Sequence, residues 1–294
     1  MRAFLKRIGA FGVRRRALKI VIWLVVLGFL VDAALYEPFH PVLQTYHVAV
    51  PGLPKEADGF RVVQLSDLHR NIGLYDRTLR RGVELASSTH ADVAVVTGDF
   101  VSLTAANAAP CCRILKGLQT KHGTYAVPGN HEYWTDAPTV CRAITDSGIT
   151  LLINRNVRLP NGLCLVGVDD EWSGMPDGHA AFEGVGRRDP CIVLCHEPLS
   201  IKRFANRPVL ALCGHTHGGV LNIPVLVHVC ARFAHCGGYV SGWYERGSSL
   251  MYVNRGIGSV FPPVRFRSRP EVTLFILHPT KAARPSVMGD HAEP

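Results

Sequence analysis

The residues Gly214-His215-Thr216-His217-Gly218-Gly219 place two imidazoles one residue apart between glycines. A neutral imidazole offers a nitrogen lone pair near physiological pH and is a common ligand for divalent metals. In an extended stretch the two rings would point to opposite faces. Glycine on both sides removes that limit and lets backbone and rings crowd one point. Four stretches upstream pair an apolar run with a small or polar turn that carries further donors: residues 62–69 with Asp67 and His69, 93–99 with Asp99, 125–132 with Asn130, His131 and Glu132, and 192–197 with His196 and Glu197. Carboxylate and amide oxygens beside imidazole nitrogens suit manganese, iron or zinc better than calcium.

Such donors need a frame that gathers them. Short apolar runs rich in β-branched residues read as buried strands. Ligands at strand ends collect along one edge of a sheet, where α/β proteins keep their sites. Strands are expected at 60–66, 91–97, 123–127, 150–153, 163–168, 191–195, 209–212, 251–254 and 272–277. Helical spacing of apolar residues predicts helices over 75–88, 107–119 and 137–147, the last ended by Gly148. Strand–helix alternation first and more strands later predicts two sheets packed face to face, with helices outside.

The order Asp67-x-His69, Gly98-Asp99, Gly129-Asn130-His131-Glu132, His196 and Gly214-His215-Thr216-His217 resembles the calcineurin-like metallophosphoesterases over residues 60–277. The resemblance implies a four-layer α-β-β-α sandwich of two mixed sheets with flanking helices. It also implies two divalent ions, manganese foremost, with iron and zinc as alternatives. Asp67, His69, Asp99 and His217 would hold the first ion, and Asp99, Asn130, His196 and His215 the second, with Asp99 bridging. A hydroxide between the two ions would attack phosphorus. His131 matches the family's non-ligand histidine, which contacts the phosphate or protonates the leaving oxygen. Glu132 is expected to orient His131 through a hydrogen bond.

Within the family, the apolar N-terminal stretch, the Gly-His-Thr-His-Gly-Gly turn and Asn254-Arg255-Gly256-Ile257-Gly258 resemble the membrane-associated bacterial branch. Val220 departs from the glutamine often found after Gly219. That branch includes envelope phosphodiesterases and a UDP-2,3-diacylglucosamine pyrophosphatase of lipid A synthesis. The implied activity is hydrolysis of a phosphodiester or pyrophosphate bond, with a lipid-linked substrate among the candidates. A phosphomonoesterase, a soluble nucleotide phosphodiesterase and a non-catalytic binding scaffold are the competing readings. Substrate contacts are expected from Asn130 and His131, and from Arg265 and Arg267, which with Arg269 would face headgroups or a second phosphate from an exposed strand. The apolar residues 221–229 are expected to lie by the membrane and touch an acyl chain.

The chain of 294 residues carries a formal charge of +9. Residues 1–19 hold seven basic side chains and no acid, leaving +2 of the +9 for the rest. The basic balance is therefore a flank, not a nucleic-acid-binding face, and no nucleic-acid partner is expected. Beside the flank, residues 20–31 are strictly apolar, and counting 17–36 with Lys19 and Asp32 snorkelling reaches the roughly 20 residues of a membrane span. A retained flank would stay cytoplasmic and send the remainder outward, at the bacterial inner membrane by the resemblance. A cleaved signal peptide and a buried core helix remain alternatives, and Arg14-Arg15-Arg16 also resembles a twin-arginine export signal. The expected segments are a basic flank at 1–19, a membrane helix at 20–36, a linker with one edge strand (48–50) at 37–59, the catalytic domain at 60–278 and a loose tail at 279–294. Nine cysteines without a C-x-x-C pair argue against a structural zinc site, with His228, Cys230, His235 and Cys236 as a weaker alternative. Free thiols in this number suit a reducing compartment, so a cytoplasmic domain stays open.

Overall fold

The computed structural model describes residues 2–288 other than Ile72, Pro224, Ala234, His235 and Phe261. The chain begins with α1, Arg2–Val31, which runs on through a π-turn (Asp32–Tyr36) and a 3-10 turn (Glu37–Phe39). The 24 residues Arg16–Phe39 are long and apolar enough to cross a membrane, and their apolar window is almost wholly exposed, with contacts to the rest of the chain near its C-terminal end at Phe29, Ala33 and Glu37. Its side chains are apolar all round rather than on one stripe, as a helix with no polar surface to face requires.

β1 (Val42–Pro51) follows at once. The chain then alternates β2 (Phe60–Leu65), α2 (Asp76–Ser88), β3 (Val93–Thr97), α3 (Ala108–Leu115), β4 (Thr124–Val127), α4 (Asn130–Thr135), α5 (Ala137–Asp146) and β5 (Thr150–Leu151). Strands dominate thereafter: β6 (Arg155–Arg158), β7 (Cys164–Gly167), α6 (Gly178–Ala181), β8 (Cys191–Leu194), β9 (Leu210–Cys213), α7 (Leu226–Phe233), β10 (Gly242–Arg246), β11 (Ser249–Val253), β12 (Glu271–Thr280) and β13 (Ser286–Met288).

Two mixed sheets result, ordered β13-β1-β12-β2-β3-β4-β5 and β10-β11-β9-β8-β7-β6. In the first, β2 through β5 are parallel; in the second, β11, β9, β8 and β7 are parallel. Alternation along each strand sorts its residues to two faces. In β2, Val62 joins the core between the sheets while Val63 and Leu65 turn to the helices. That central core packs Val93, Val95, Val127 and Phe275 against Leu165, Ile192, Leu194, Leu210, Leu212 and Tyr252. The outer face of the first sheet lies under α2, α3 and α5, and that of the second under α6 and the turn holding Ile201 and Phe204. The expected four-layer sandwich is what the chain forms.

Two expected segments are corrected. The stretch 37–59 is no linker with an edge strand at 48–50, because β1 pairs with β12 over ten residues and with β13 on its other side. Its first half alternates partly buried and exposed residues, so Gln44 and His47 hid a strand whose outer face meets solvent. The tail is ordered further than expected: β12 runs through Thr280 and Ser286–Met288 forms β13, while residues 289–294 lie outside the described ones. β6 and β10 gave no sequence signal because both are antiparallel edge strands with polar, half-exposed side chains.

Cys111, Cys112, Cys164, Cys191, Cys195 and Cys213 are buried free thiols, Cys141 is a partly buried one, and Cys236 is buried. Burial pushes the Cys112, Cys141 and Cys236 thiols up to about 11 and Cys191 up to about 12. An unfolded thiol ionises near about 8.5, so above that pH the unfolded chain gives up protons that the folded chain keeps. These thiols therefore contribute stability that is complete below about 8.5 and lost as pH rises through the folded values. The urea midpoint should fall between pH 8 and 10.5, and less steeply in Cys191→Ala; a flat midpoint would contradict the burial assignment.

Candidate metal centre

Both sheets deliver their C-terminal strand ends to one edge. β2 leads into Ser66-Asp67-Leu68-His69, β3 into Gly98-Asp99, and β4 into Gly129 and then Asn130 at the start of α4. From the second sheet, β8 leads into His196 and β9 into Gly214-His215-Thr216-His217. Buried hydrogen bonds lock the two edges together. Gln64 donates through Nε2 to Thr97 Oγ1 and to the Cys213 carbonyl across the sheets, both at 2.9 Å. The loops are wound tightly: Asp67, His69, Asp99, His215 and His217 all have positive φ, between 44° and 73°. Non-glycine residues in that region cost roughly 1–3 kcal/mol each and persist where surrounding structure enforces them, often at functional sites. Gly214 makes the closest approach possible, since a Cβ there would sit 1.9 Å from Ser66 Oγ and 2.2 Å from Asp67 Oδ2.

All eight side chains expected at the site, Asp67, His69, Asp99, Asn130, His131, His196, His215 and His217, converge. His69 Nε2 lies 2.9 Å from His217 Nε2 and 3.3 Å from Asp99 Oδ2, and His217 Nε2 lies 3.6 Å from Asp67 Oδ1. His196 Nε2 reaches the same Asp99 oxygen, Oδ2, at 3.2 Å, and lies 3.2 Å from Asn130 Oδ1. His215 Nδ1 is 3.1 Å from the same Asn130 oxygen and 3.2 Å from His196 Nε2. Asp99 thus stands between two halves, one of Asp67, His69 and His217, the other of Asn130, His196 and His215. The backbone amide of His215 donates to both Asp67 oxygens, at 2.9 and 3.0 Å.

The donor chemistry fits cations. His196 Nδ1 faces the Thr97 carbonyl at 2.8 Å, and a carbonyl can only accept, so Nδ1 carries a proton and, in the neutral ring, Nε2 is left as a lone pair. That lone pair faces oxygens of Asp99 and Asn130 and a second ring nitrogen. Carboxylate, amide oxygen and bare imidazole nitrogen crowd one buried point with too few hydrogens among them. Buried acceptors in that arrangement call for a shared positive charge, which a proton or a metal ion supplies.

The electrostatics agree. Burial alone would raise the Asp99 carboxyl, but the His196 and His69 rings and their hydrogen bonds hold it well below the usual carboxylate range. Burial would lower His196, yet the charge and hydrogen bond of Asp99, with Asp67 and Asp170, raise it well above the usual imidazole value. Asp67 is raised, chiefly by burial, with Asp99 adding to it. Burial, His69 and Arg265 hold His217 well below its usual value, as a neutral ring.

His131 sits over the Asp99 side. Its backbone amide donates to Asp99 Oδ1 at 3.0 Å and its Nδ1 lies 2.9 Å from the Ser102 carbonyl, which fixes Nε2 as the unprotonated nitrogen of the neutral ring. Glu132 does not orient His131, contrary to expectation. Its carboxylate is fully buried and accepts backbone amides of Asp99, Phe100 and Gly129 at 2.9, 2.9 and 2.7 Å, so it fixes the loops that carry Asp99 and Asn130. Burial and the charge of Asp99 push its carboxyl up to about 8.

Arg265 is a second correction. It does not lie on an exposed strand; it is 1% exposed and donates to the carbonyls of Arg255, Gly256, Gly258 and Ser268. Its guanidinium is committed to backbone carbonyls and borders the cavity beside His217 rather than an exposed strand face. Arg267 is exposed but has a turn conformation, φ 52°, and Arg269 donates to the His40 carbonyl. Phe266 makes only an isolated bridge, to Leu221, so the alternating arginines belong to a turn rather than a strand.

Sequence reasoning missed several neighbours. Ser102 supports both His69, through Oγ at 3.1 Å, and His131. Exposed Trp134 and Trp172 form an edge-on pair at the rim, Trp134 against His131 and Trp172 against His215. No spacing rule marks them, since they come from α4 and from the loop after β7. Beside His217, a cavity of about 400 Å³ is lined mainly by Val220, Leu221, Val260, Pro262 and Val264.

The model of the calcineurin-like phosphoesterase family matches residues 60–219, more than half of the chain, and the chain belongs to that family of metal-dependent phosphoesterases. The family uses a dinuclear metal centre. Among its relatives, the phosphodiesterase YaeI of Escherichia coli is 30% identical over 74% of this chain and 82% of its own length. The UDP-2,3-diacylglucosamine pyrophosphatase LpxG of Chlamydia trachomatis is 26% identical over 76% of this chain and 85% of its own. A bovine transmembrane protein with metallophosphoesterase domain is 31% identical over 81% of this chain but only 57% of its own length.

Two substitutions test the geometry. Gly214→Ala should abolish divalent-metal binding at this cluster, measured by calorimetry, while circular dichroism shows the sheets intact. Glu132→Gln turns an amide NH2 toward backbone N–H donors and should cost roughly 1–3 kcal/mol of stability in urea unfolding by stranding a buried donor. An unchanged midpoint would show that the carboxylate is not what secures these loops.

Proposed function

We propose that this chain is a membrane-anchored hydrolase that cleaves a phosphodiester or pyrophosphate bond in an amphiphilic substrate, with UDP-2,3-diacylglucosamine the leading candidate. The observation that carries the reading is the buried crowd of lone pairs on both sides of Asp99. In this reading Asp67, His69, Asp99 and His217 hold one divalent ion and Asp99, Asn130, His196 and His215 the other. Manganese is the leading choice, with iron and zinc as alternatives. Once bound, the ions supply Lewis acidity toward the phosphoryl oxygens and lower the pKa of water enough to give a nucleophile near neutral pH.

The chain's own side chains do the remaining work. The Thr97 carbonyl holds His196 in the tautomer whose Nε2 faces the site. Asn130 contributes a neutral oxygen and so leaves positive charge in place for an anionic phosphoryl group. His131, held through Nδ1, turns Nε2 toward the site; in its protonated form that nitrogen donates to a phosphoryl or leaving oxygen. Burial lowers His131, and an arriving phosphate anion favours its protonated form.

Two flanks support a substrate with substituents on both sides of the phosphorus. The Trp134–Trp172 pair offers a flat aromatic rim on the His215 side, and the apolar cavity opens on the His217 side. A monoester would use only one of them. Val220, Leu221, Ile223, Val225 and Val229 are exposed, which supports contact of this stretch with an acyl chain or the bilayer. At the exit of the apolar helix, Leu35, Phe39 and Pro41 share a groove of about 930 Å³ with Arg77, Arg80, Arg81 and Arg269, a pairing suited to a bilayer interface. The names of the YaeI and LpxG relatives support the bond class, and that of the bovine relative supports anchoring. The basic flank favours a catalytic domain outside the cytoplasm, at the inner membrane of a bacterium. A soluble nucleotide diester is the second reading, favoured by the tryptophan pair alone.

The full-length protein, purified in detergent with manganese, should hydrolyse bis-nitrophenyl phosphate well above the mono-nitrophenyl ester and release UMP from UDP-2,3-diacylglucosamine. Turnover of the monoester alone would overturn the bond assignment, and intact lipid substrate after long incubation would remove the lipid reading. His131→Ala should lower kcat by about 10²–10⁴ with both ions still bound. An unchanged rate would take His131 out of the chemistry.

A further inference from the structure

Arg265 and Glu37 are buried charged side chains that the chemistry above does not use. They lie at the two ends of one continuous set of contacts. Glu37 sits just past the π-turn that ends the apolar helix and is 4% exposed. Its carboxylate accepts the backbone amides of Arg267, at 2.9 Å, and of Ser268. The same turn is held at two other points: the Arg265 amide donates to the Ala33 carbonyl at 2.9 Å, and Phe266 packs on Phe29 with ring centroids 4.6 Å apart.

From that turn, contacts reach one half of the metal centre. Ser268 donates its hydroxyl to the His217 carbonyl. Arg265 Nη2 lies 3.2 Å from His217 Nδ1, on the ring edge opposite the one that faces His69 and Asp67. The same guanidinium gathers the carbonyls of Arg255, Gly256 and Gly258. The amides of that segment in turn hold the Asp67 loop, Ile257 donating to the Ser66 carbonyl at 2.9 Å and Gly258 to the Asp67 carbonyl at 2.7 Å. Among the described residues, 265–268 make no hydrogen bond to Asn130 or His196, which are held by the Thr97 carbonyl and by each other.

We infer that Glu37, Arg265 and Ser268 form a clasp through which the exit of the apolar helix positions Asp67 and His217, and so sets the affinity of the first metal half and not the second. The clasp rests on the metal-ligand reading given above. Its members are positioning residues: Glu37 and Ser268 act through the loop and carbonyl they hold, and Arg265, which also borders the cavity beside His217, acts through the His217 ring and the carbonyls it gathers. Supports of this kind change metal affinity by about 10–100-fold when removed. Loosening the helix exit therefore converts a two-ion centre into a one-ion centre.

The test uses full-length protein in detergent, stripped of metal and titrated with manganese by calorimetry, with electron paramagnetic resonance on the same samples. Wild type should bind two ions per chain and show the signal of a coupled pair. Glu37→Ala and, independently, Ser268→Ala should weaken one ion by at least about tenfold. At intermediate manganese they should show an isolated-ion signal. Glu37→Gln, which keeps one acceptor oxygen, should restore part of the affinity. Two ions at unchanged affinity in both alanine variants would overturn the clasp, and so would equal weakening of both ions, which would mark it as general support. Wild type that binds no manganese would overturn the ligand reading itself, a failure visible before any variant is made.

Discussion

Everything at this site follows from a shortage of protons. In the His217 ring, Nδ1 faces the Arg265 guanidinium, so its proton sits on Nε2. The other imidazole nitrogens, two carboxylates and an amide oxygen point lone pairs at one another at a buried point. Their other edges are already committed, His196 to the Thr97 carbonyl, His131 to the Ser102 carbonyl and Asp67 to the His215 amide. Groups so arranged repel unless a positive charge joins them. The fold exists in a form that keeps them there: five site residues hold positive φ, and Glu132 spends a buried carboxylate on the backbone amides of the loops. Such spending makes sense when binding energy from cations returns it.

The two-sheet architecture is what makes the gathering possible. Parallel strands present all their C-terminal ends on one side, and packing two such sheets face to face brings two rows of ends together. The first sheet contributes mostly oxygen donors, Asp67, Asp99 and Asn130, while the second contributes nitrogen, His196, His215 and His217. A mixed set of oxygen and nitrogen donors is therefore a consequence of the layering. The same layering leaves the site open along the edge, with an aromatic rim on one side and an apolar hollow on the other.

The convergence of these side chains was legible because they sit in short loops directly after apolar runs, where residue type and local spacing carry the signal. The core strands β2, β3, β4, β8 and β9 were legible for the same reason. What sequence could not reveal depends on contacts between distant segments. Arg265 looked like one of three alternating surface arginines, and only the fold shows it enclosed by four carbonyls. Glu132 looked like a partner for the adjacent His131, but helix α4 turns it toward Asp99 and Phe100 instead. β1 read as a linker because its partners, β12 and β13, lie more than 200 residues away in the chain. Trp134 and Trp172 became a pair only through the approach of α4 to the loop after β7.

The central claim is that the converging lone pairs hold two cations with Asp99 between them. Anomalous diffraction from manganese-soaked crystals tests it most directly. The account predicts two peaks about 3.5–4 Å apart, one beside Asp67, His69 and His217 and the other beside Asn130, His196 and His215. Absence of anomalous density among these residues, with their side chains splayed into solvent or paired with other groups, would contradict it.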